Sequence, residues 1–354
     1  MQSAPSTMSL SLVHTFTGHT DKCWATSIHS KLPLLATVSG DRTCRVYNLE
    51  TKRLIVVLDD DSHSKTLSSV EWKPTGEFPS LAIGSFDSTI SIWGNEEAVL
   101  EDEDNWTLMA IIEGHENEIK GVSWSHDGVY LASCSRDKSI WIWEADDNNE
   151  EFECVFVVQE HSQDVKHVTW HQHENVLASS SYDDTVKLFK QDDYDEDDWV
   201  NVADLTGHEG TVWSSDFEKK GERVTRLSSS SDDGTIRIWK ILHAADDQPS
   251  IDSKLPSTIK TDTNQDMWEL ETILPIIHHG PIYSVAWGEN GYIASVGSDG
   301  RIVVYKELNS KEWQIIISQP HSHGVYEINN IKWHGDRLIT AGDDGLVKLW
   351  ELAL

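Results

Sequence analysis

Seven times along the chain a histidine is followed 21 to 25 residues later by an aspartate, and six residues after each aspartate stands an aromatic side chain. The pairs are His19 and Asp41, His63 and Asp87, His115 and Asp137, His161 and Asp183, His208 and Asp233, His278 and Asp299, and His321 or His323 with Asp344. The aromatics are Tyr47, Trp93, Trp143, Phe189, Trp239, Tyr305 and Trp350. The copy that shows its construction most plainly runs from Gly114 to Trp143, GHENEIKGVSWSHDGVYLASCSRDKSIWIW. An alternating run ends at Trp124, a His-Asp-Gly turn follows, LASCS forms a second run, a tight turn holds Arg136 and Asp137, and a third alternating run ends at Trp143. Alternation with period two gives a segment two unlike faces, which is the pattern of a strand. The stretch reads as three antiparallel strands joined by tight turns, and WTLMAII, just before Gly114, is expected to supply a fourth.

A chain assembled from such units has few folds open to it. Consecutive anchor aspartates lie roughly 45 to 50 residues apart, apart from one long step between Asp233 and Asp299. A four-stranded unit of that length is the blade of a WD40 β-propeller. The fold class is therefore all-β, a seven-bladed WD40 β-propeller, with residues 1–354 as a single domain; radial repetition reaches this size without one enlarged core. The apolar alternating segment SLSLVHTF, residues 9–16, precedes Gly18-His19, and the chain stops just after a third strand at Trp350. The N-terminal strand is thus expected to pair with the last blade and close the ring, which leaves no open sheet edge there. Residues 242–266, rich in Asp, Ser, Thr and Pro, read as a disordered insert in blade five.

The net charge of −32 disfavours nucleic acid, whose binding needs a basic stripe that neutralises phosphates, and disfavours anionic membranes for the same reason. The first residues, MQSAPSTMSL, carry neither a charged n-region nor a useful apolar h-region, and no run approaches a membrane span. Cys23, Cys44, Cys134 and Cys154 are scattered, without a CxxC pair or a disulfide-like framework, as expected of reduced structural thiols in a cytosolic or nuclear protein. Segments 96–105, 145–151 and 191–198 are acidic and fall between third and fourth strands, where charge runs act chiefly as solvated faces. The sequon Asn105-Trp106-Thr107 means little without a signal peptide.

Several residue sets invite a chemical reading. Ser135, Asp137 and His115 hold the ingredients of a hydrolytic triad, as do Ser181, Asp183 and His161. A triad is needed once, whereas this arrangement recurs around the ring, so a buried hydrogen-bond network tying one turn of a blade to another is the better account. Gly297 and Gly342 replace the serine in the last two copies, which predicts an incomplete network there. His167, His171 and His173 lie close together, yet no nearby Cys completes a tetrahedral set, and surface histidines are expected rather than a metal site. No Gly-rich phosphate loop or isolated carboxylate pair stands out, so no catalytic, cofactor or metal residues are assigned. Most of the 16 tryptophans fall on blade positions, where a large flat side chain fills the wedge between sheets.

The residues that vary between copies carry the functional signal. Positions three and five after each anchor His, and the one before each turn Asp, should point into the mouth of the central channel. They are Lys22 and Trp24; Phe86; Glu118, Lys120 and Arg136; Asp164, Lys166 and Tyr182; Trp213 and Asp232; Tyr283; and Glu327 with Asp343. Aromatic anchors beside Arg or Lys are the composition of a protein-binding hot spot. The expected protein-binding set is Arg136, Lys120, Lys166, Tyr182, Trp213, Trp24, Phe86 and Tyr283. Arg136 stands where the other copies have small, acidic or aromatic residues, so the blade itself does not require a cation there.

GHENEIKGVSW, SCSRDKSIWIWE, HSQDVKHVTWH, SSSYDDTVKLF and GHEGTVWSSDF are similar, nearly word for word, to the WD40 proteins of cytosolic iron–sulfur protein assembly, the Cia-type propellers of eukaryotes. The likeness is strongest over blades three to five and extends over all seven, and HGVYEIN and HHGPIYSVAW look like the fungal branch. Departures are Ile28 in place of an aromatic, the ambiguous histidine of blade seven and the insert of blade five; none touches Arg136. The resemblance implies a non-enzymatic scaffold that brings apo-proteins to the late assembly complex for cluster insertion, in cytoplasm and nucleus. The partners it implies are a small α/β assembly subunit, a HEAT-repeat adaptor, an iron-only-hydrogenase-like cluster carrier and apo iron–sulfur client proteins. The dispersed cysteines fit a subunit that positions clients without holding the cluster, because ligation wants about four clustered thiolates. A scaffold of another complex, such as a chromatin or ubiquitin-ligase adaptor, would share the same anchors, and an enzyme built on a propeller is the remaining alternative.

Overall fold

The computed structural model describes residues 8–59, 62–95, 97, 100, 102–146, 148–192, 198–242, 267–309 and 311–353. Among them, 28 strands form seven antiparallel four-stranded sheets, and the one helical element is a 3-10 turn at Glu103–Asn105. Blades one to six span 23–58, 67–113, 119–158, 165–206, 212–273 and 282–319. Blade seven combines 328–353 with 9–16. In each, the first strand after the anchor His lines the central channel and the fourth lies outermost, and the innermost strands of neighbouring blades pack on one another around the ring.

The expected closure is present. Ser9–Phe16 pairs antiparallel with Val347–Ala353, Leu10 opposite Leu352 and Phe16 opposite Val347. One detail of the repeat is corrected: Trp106–Glu113, the WTLMAII segment, pairs with Thr89–Asn95 and is the outer strand of blade two, not a strand of the blade that begins after Gly114. The glycine-histidine loop crosses from the outer edge of one sheet to the inner edge of the next, so the unit visible in sequence is offset by one strand from the unit that hydrogen bonds. The acidic segments do connect third to fourth strands, in blades two, three and four. The insert leaves blade five between Ile236–Leu242 and Met267–Ile273, and the disorder expected of it concerns residues that, from 243 to 266, lie outside the described ones.

The anchor pairs are hydrogen bonded in all seven blades. His115 Nδ1 donates to Asp137 at 2.8 Å, and the same bond joins His161 to Asp183 and His208 to Asp233 at 2.8 Å. In blade seven the partner of Asp344 is His323, at 2.8 Å, while His321 is exposed and turned toward the Gly324 carbonyl. The hydroxyl on the far side of the imidazole is not the one expected. His115 Nε2 meets Ser133 Oγ at 2.9 Å, and Ser133 also accepts the Trp143 indole N–H at 3.0 Å. Ser135 instead braces the turn, donating to the Asn117 carbonyl and accepting from the Asp137 N–H.

The inner network is therefore complete in the last two blades, through Ser295 with His278 and Thr340 with His323, both at 2.8 Å. Gly297 and Gly342 remove only the turn brace. A Cβ at Gly297 would lie 2.1 Å from the Pro281 carbonyl oxygen, so no side chain fits there without a shift. Blade two solves the problem differently: Ile83 occupies the serine's place, and Ser91, directly opposite it on the next strand, supplies the hydroxyl to His63 at 2.8 Å and to Trp93 at 3.1 Å. Blades five and six share a further tie. The Arg226 guanidinium lies over the Trp287 ring and binds Glu218 and Glu271 of its own blade and Glu307 of the next.

Burial raises the Asp137 carboxyl, but hydrogen bonds from His115 and Ser139 and the imidazole charge outweigh it and hold the group well below the usual carboxylate range. Asp41, Asp87, Asp183 and Asp233 behave alike. Replacing Asp137 with Ala strands His115 without its acceptor, and thermal or urea unfolding should show a loss of about 1 to 3 kcal/mol. An unfolding curve superimposable on that of the parent protein would contradict this role for the pair. A carboxylate whose folded pKa is depressed contributes stability that is full above its unfolded pKa, about 3.9, and is lost as pH falls toward the folded value. Urea midpoints should thus drop steeply below about pH 4, and the drop should be shallower in Asp137→Asn, which removes one titrating member. Deleting residues 1–16 exposes the outer edge of blade seven and should lower the thermal midpoint and promote aggregation; an unchanged midpoint would argue against closure by this strand.

Candidate functional site

The innermost strand of every blade begins with a β-bulge. Register shifts fall between Cys23 and Ala25, Leu67 and Ser69, Ile119 and Gly121, Val165 and His167, Val212 and Ser214, Ile282 and Ser284, and Ile328 and Asn330. The extra residue of a bulge is unpaired and its side chain is re-aimed. Those seven residues are Trp24, Ser68, Lys120, Lys166, Trp213, Tyr283 and Asn329. All but Asn329 and Ser68 belong to the binding set expected from sequence, and these two were missed although their signal was available. Ser68 stands five residues after its anchor His, as the others do, and Asn329 six after His323 because blade seven carries one extra residue in that loop.

The bulge residues line a cavity of about 450 Å3 at the channel mouth, together with Lys22, Phe86, Glu327 and Asp343. Trp24 packs against Phe86 with ring centroids 6.1 Å apart, and Trp213 meets Tyr283 edge to face at 5.3 Å. The Lys120 ammonium sits 3.8 Å from the centre of the Phe86 ring. Lys166 lies 5.3 Å from both Tyr182 and Trp213. Six of the eight expected residues thus converge on one cavity. Arg136 and Tyr182 do not line it; they stand on the turns at its rim, 57% exposed in the guanidinium side chain and 55% exposed in the tyrosine.

The charge pattern differs from a bare cationic patch. Lys22 is ion paired with Asp343, Lys166 with Asp164 at 3.2 Å, and Arg136 with Glu118 at 3.1 Å. Two further carboxylates accept from the aromatic groups, Asp232 from the Trp213 indole and Glu327 from the Tyr283 hydroxyl at 3.0 Å. Lys120 makes no ion pair among the described residues, and burial, reinforced by the nearby Lys166 charge, lowers its pKa. The mouth consequently offers a half-buried ammonium over the Phe86 ring, with a second, ion-paired ammonium 5.3 Å from the Trp213 ring. Such a site can hold an anionic group and stack a flat or apolar one beside it.

Below the mouth, the inner strands place Glu71, His167, Asp216 and Lys332 on the channel wall. The histidines expected at the surface are not all there. His167 faces the channel with its pKa pushed down to about 3, mainly by burial and then by the Lys332 charge. His171 is 1% exposed, and its Nδ1 accepts from the backbone N–H groups of His173 and Glu174. Alternation along the strand could not tell that His171 would be covered. Among the described residues no group of three or more His, Cys, Asp or Glu side chains is arranged to hold a metal, and no helix is long and apolar enough to cross a membrane.

The WD domain, G-beta repeat family matches the chain seven times, at residues 10–48, 53–94, 106–144, 152–190, 199–240, 270–306 and 314–351. Near full-length relatives occur in several yeasts. A protein of Kluyveromyces lactis is 50% identical over 97% of this chain and 98% of its own length. One of Scheffersomyces stipitis is 49% identical over 97% and 99%, and one of Debaryomyces hansenii 47% identical over 96% and 99%. Each bears the name probable cytosolic iron-sulfur protein assembly protein 1. Seven blades with their anchors intact, matched end to end at this identity, place the chain in the WD40 repeat family and, within it, in the cytosolic iron-sulfur protein assembly protein 1 family.

Proposed function

We propose that this protein works in cytosolic iron–sulfur protein assembly as a non-catalytic targeting platform that brings apo-proteins to the late assembly complex. The observation that carries the reading is the 47 to 50% identity, over nearly the whole chain, to relatives named for that process, and a channel mouth lined by six of the eight residues expected to bind supports it. The partners are a small α/β assembly subunit, a HEAT-repeat adaptor, an iron-only-hydrogenase-like cluster carrier and apo iron–sulfur clients, and the work extends from cytoplasm to nucleus. The thiols are consistent with a platform that does not itself hold a cluster. Cys23, Cys44 and Cys134 are buried and Cys154 half-buried, and burial pushes all four above the usual thiol range, which disfavours the thiolate that iron requires.

Affinity capture of the full chain from its native cells, followed by mass spectrometry, should return late cluster-assembly subunits; histone or ubiquitin-ligase subunits in their place would overturn the reading. The rim and the mouth should share the binding energy. Arg136 gives up only a partly exposed pairing with Glu118 when replaced, so Arg136→Glu should fold normally yet bind a purified assembly partner or client at least tenfold more weakly, about 1.4 kcal/mol. Isothermal titration of folded mutant and parent protein checks this, and equal affinities would move the interaction off this face.

A further inference from the structure

The channel mouth is not uniform around its circumference. On the side of blades two to four stand Lys120, Lys166 and Arg136 with Phe86 and Tyr182. On the side of blade seven and its junction with blade one stand Asp21, Glu327 and Asp343; of the lysines there, Lys22 is already paired with Asp343, and Lys348, which donates to the Ser322 carbonyl at 2.8 Å, is paired with Asp344 at 3.5 Å. Asp21 is exposed and its carbonyl lies against the Gly345 turn of blade seven, while the Glu327 carbonyl accepts from the Asp343 N–H.

Beside these acids the loop entering blade seven presents apolar surface that the fold does not use. In six blades the inner strand starts four positions after the anchor His, but Ile328 stands five positions after His323. The extra residue carries Val325 and Tyr326 outward, 91% and 51% exposed. The loop is nevertheless tied down. Ser322 N–H donates to the Gly300 carbonyl at 3.0 Å, Gly324 N–H to His321 at 3.0 Å and Tyr326 N–H to His323 at 3.3 Å. A Cβ at Gly300 would come within 2.7 Å of the Tyr326 carbonyl oxygen, so the loop sits directly on the neighbouring turn. Ile276, in the corresponding loop of the preceding blade, is 69% exposed on the same face. A valine held almost wholly in water by an ordered loop contributes nothing to the core, and an ordered tyrosine beside it is the residue type that binding hot spots favour.

We propose that Val325, Tyr326 and the acids around them form a second docking surface, for a basic protein segment that carries an apolar side chain. Charge complementarity decides the partner: Asp21 and Glu327 repel an acidic segment and attract lysines or arginines, while Val325 and Tyr326, next to Glu327 in the chain, offer the apolar contact. Val325, Tyr326 and Asp21 do not line the cavity that holds Lys120 and Lys166, although Glu327 does, and the surface stands or falls independently of the client-binding role proposed above. A partner seated here leaves the cationic side of the mouth open, so two segments of opposite charge can occupy one face together.

The test uses the full chain and two labelled synthetic peptides, one with a central pair of leucines flanked by lysines and one with the leucines replaced by serines. Comparing the two separates this site from general attraction to an acidic protein. In fluorescence polarisation the leucine peptide should bind at least fivefold more tightly than the serine peptide. The preference should vanish in Val325→Ser/Tyr326→Ser and persist in Arg136→Glu, and Asp21→Asn should weaken both peptides. No preference in the parent protein, a preference that survives the double substitution, or its loss in Arg136→Glu would each overturn the proposal. Both substituted side chains are exposed, and matching thermal midpoints would establish that the variants fold.

Discussion

Everything in this protein hangs on a buried imidazole between a carboxylate and a hydroxyl. The His115 ring is held at Nδ1 by Asp137 and at Nε2 by Ser133, which in turn receives the Trp143 indole. Four residues far apart in the chain are thereby fixed with few polar atoms left over, and a hydrogen bond to an ionised partner is worth about 1.5 to 3 kcal/mol. The chain spans a blade from the crossing loop, through the turn between second and third strands, to the wedge-filling aromatic. Repetition makes it dependable: when Ile83 removes the hydroxyl in blade two, Ser91 on the facing strand restores it. A network that can be rebuilt from the opposite register is a geometric requirement of the blade, which is why a hydrolytic reading of the same residues fails.

That rigid frame leaves the top of each inner strand available for function. A bulge at this point lets one residue per blade leave the ladder and face the channel mouth without disturbing the core beneath. The seven residues so placed differ in chemistry, from Trp24 and Trp213 to Lys120 and Asn329, while the anchors around them repeat. Two ion pairs of the mouth, Lys166 with Asp164 and Arg136 with Glu118, lie within a blade, whereas Lys22 with Asp343 joins blade one to blade seven. Lys120, held on Phe86 of the preceding blade, makes no ion pair among the described residues.

The sequence by itself determined a great deal here. Seven histidine, aspartate and aromatic anchors, period-two alternation and a spare strand at the N-terminus were enough for the blade number, the ring and its closure, because each is a local pattern repeated. The same counting from the anchors found six of the residues that line the mouth. It misassigned Trp106–Glu113 to the following blade, because hydrogen-bond pairing between strands leaves no mark on the order of residues. It chose Ser135 over Ser133 for the imidazole because both serines are near the aspartate in sequence, and only the pleat decides which one faces the ring. His171 looked like a surface residue because nothing in a strand's own alternation says what covers its face. Which cations of the mouth are paired depends on contacts such as Lys22 with Asp343, 321 residues apart. Periodicity is written in the chain, whereas pairing across the ring exists only once the ring has closed.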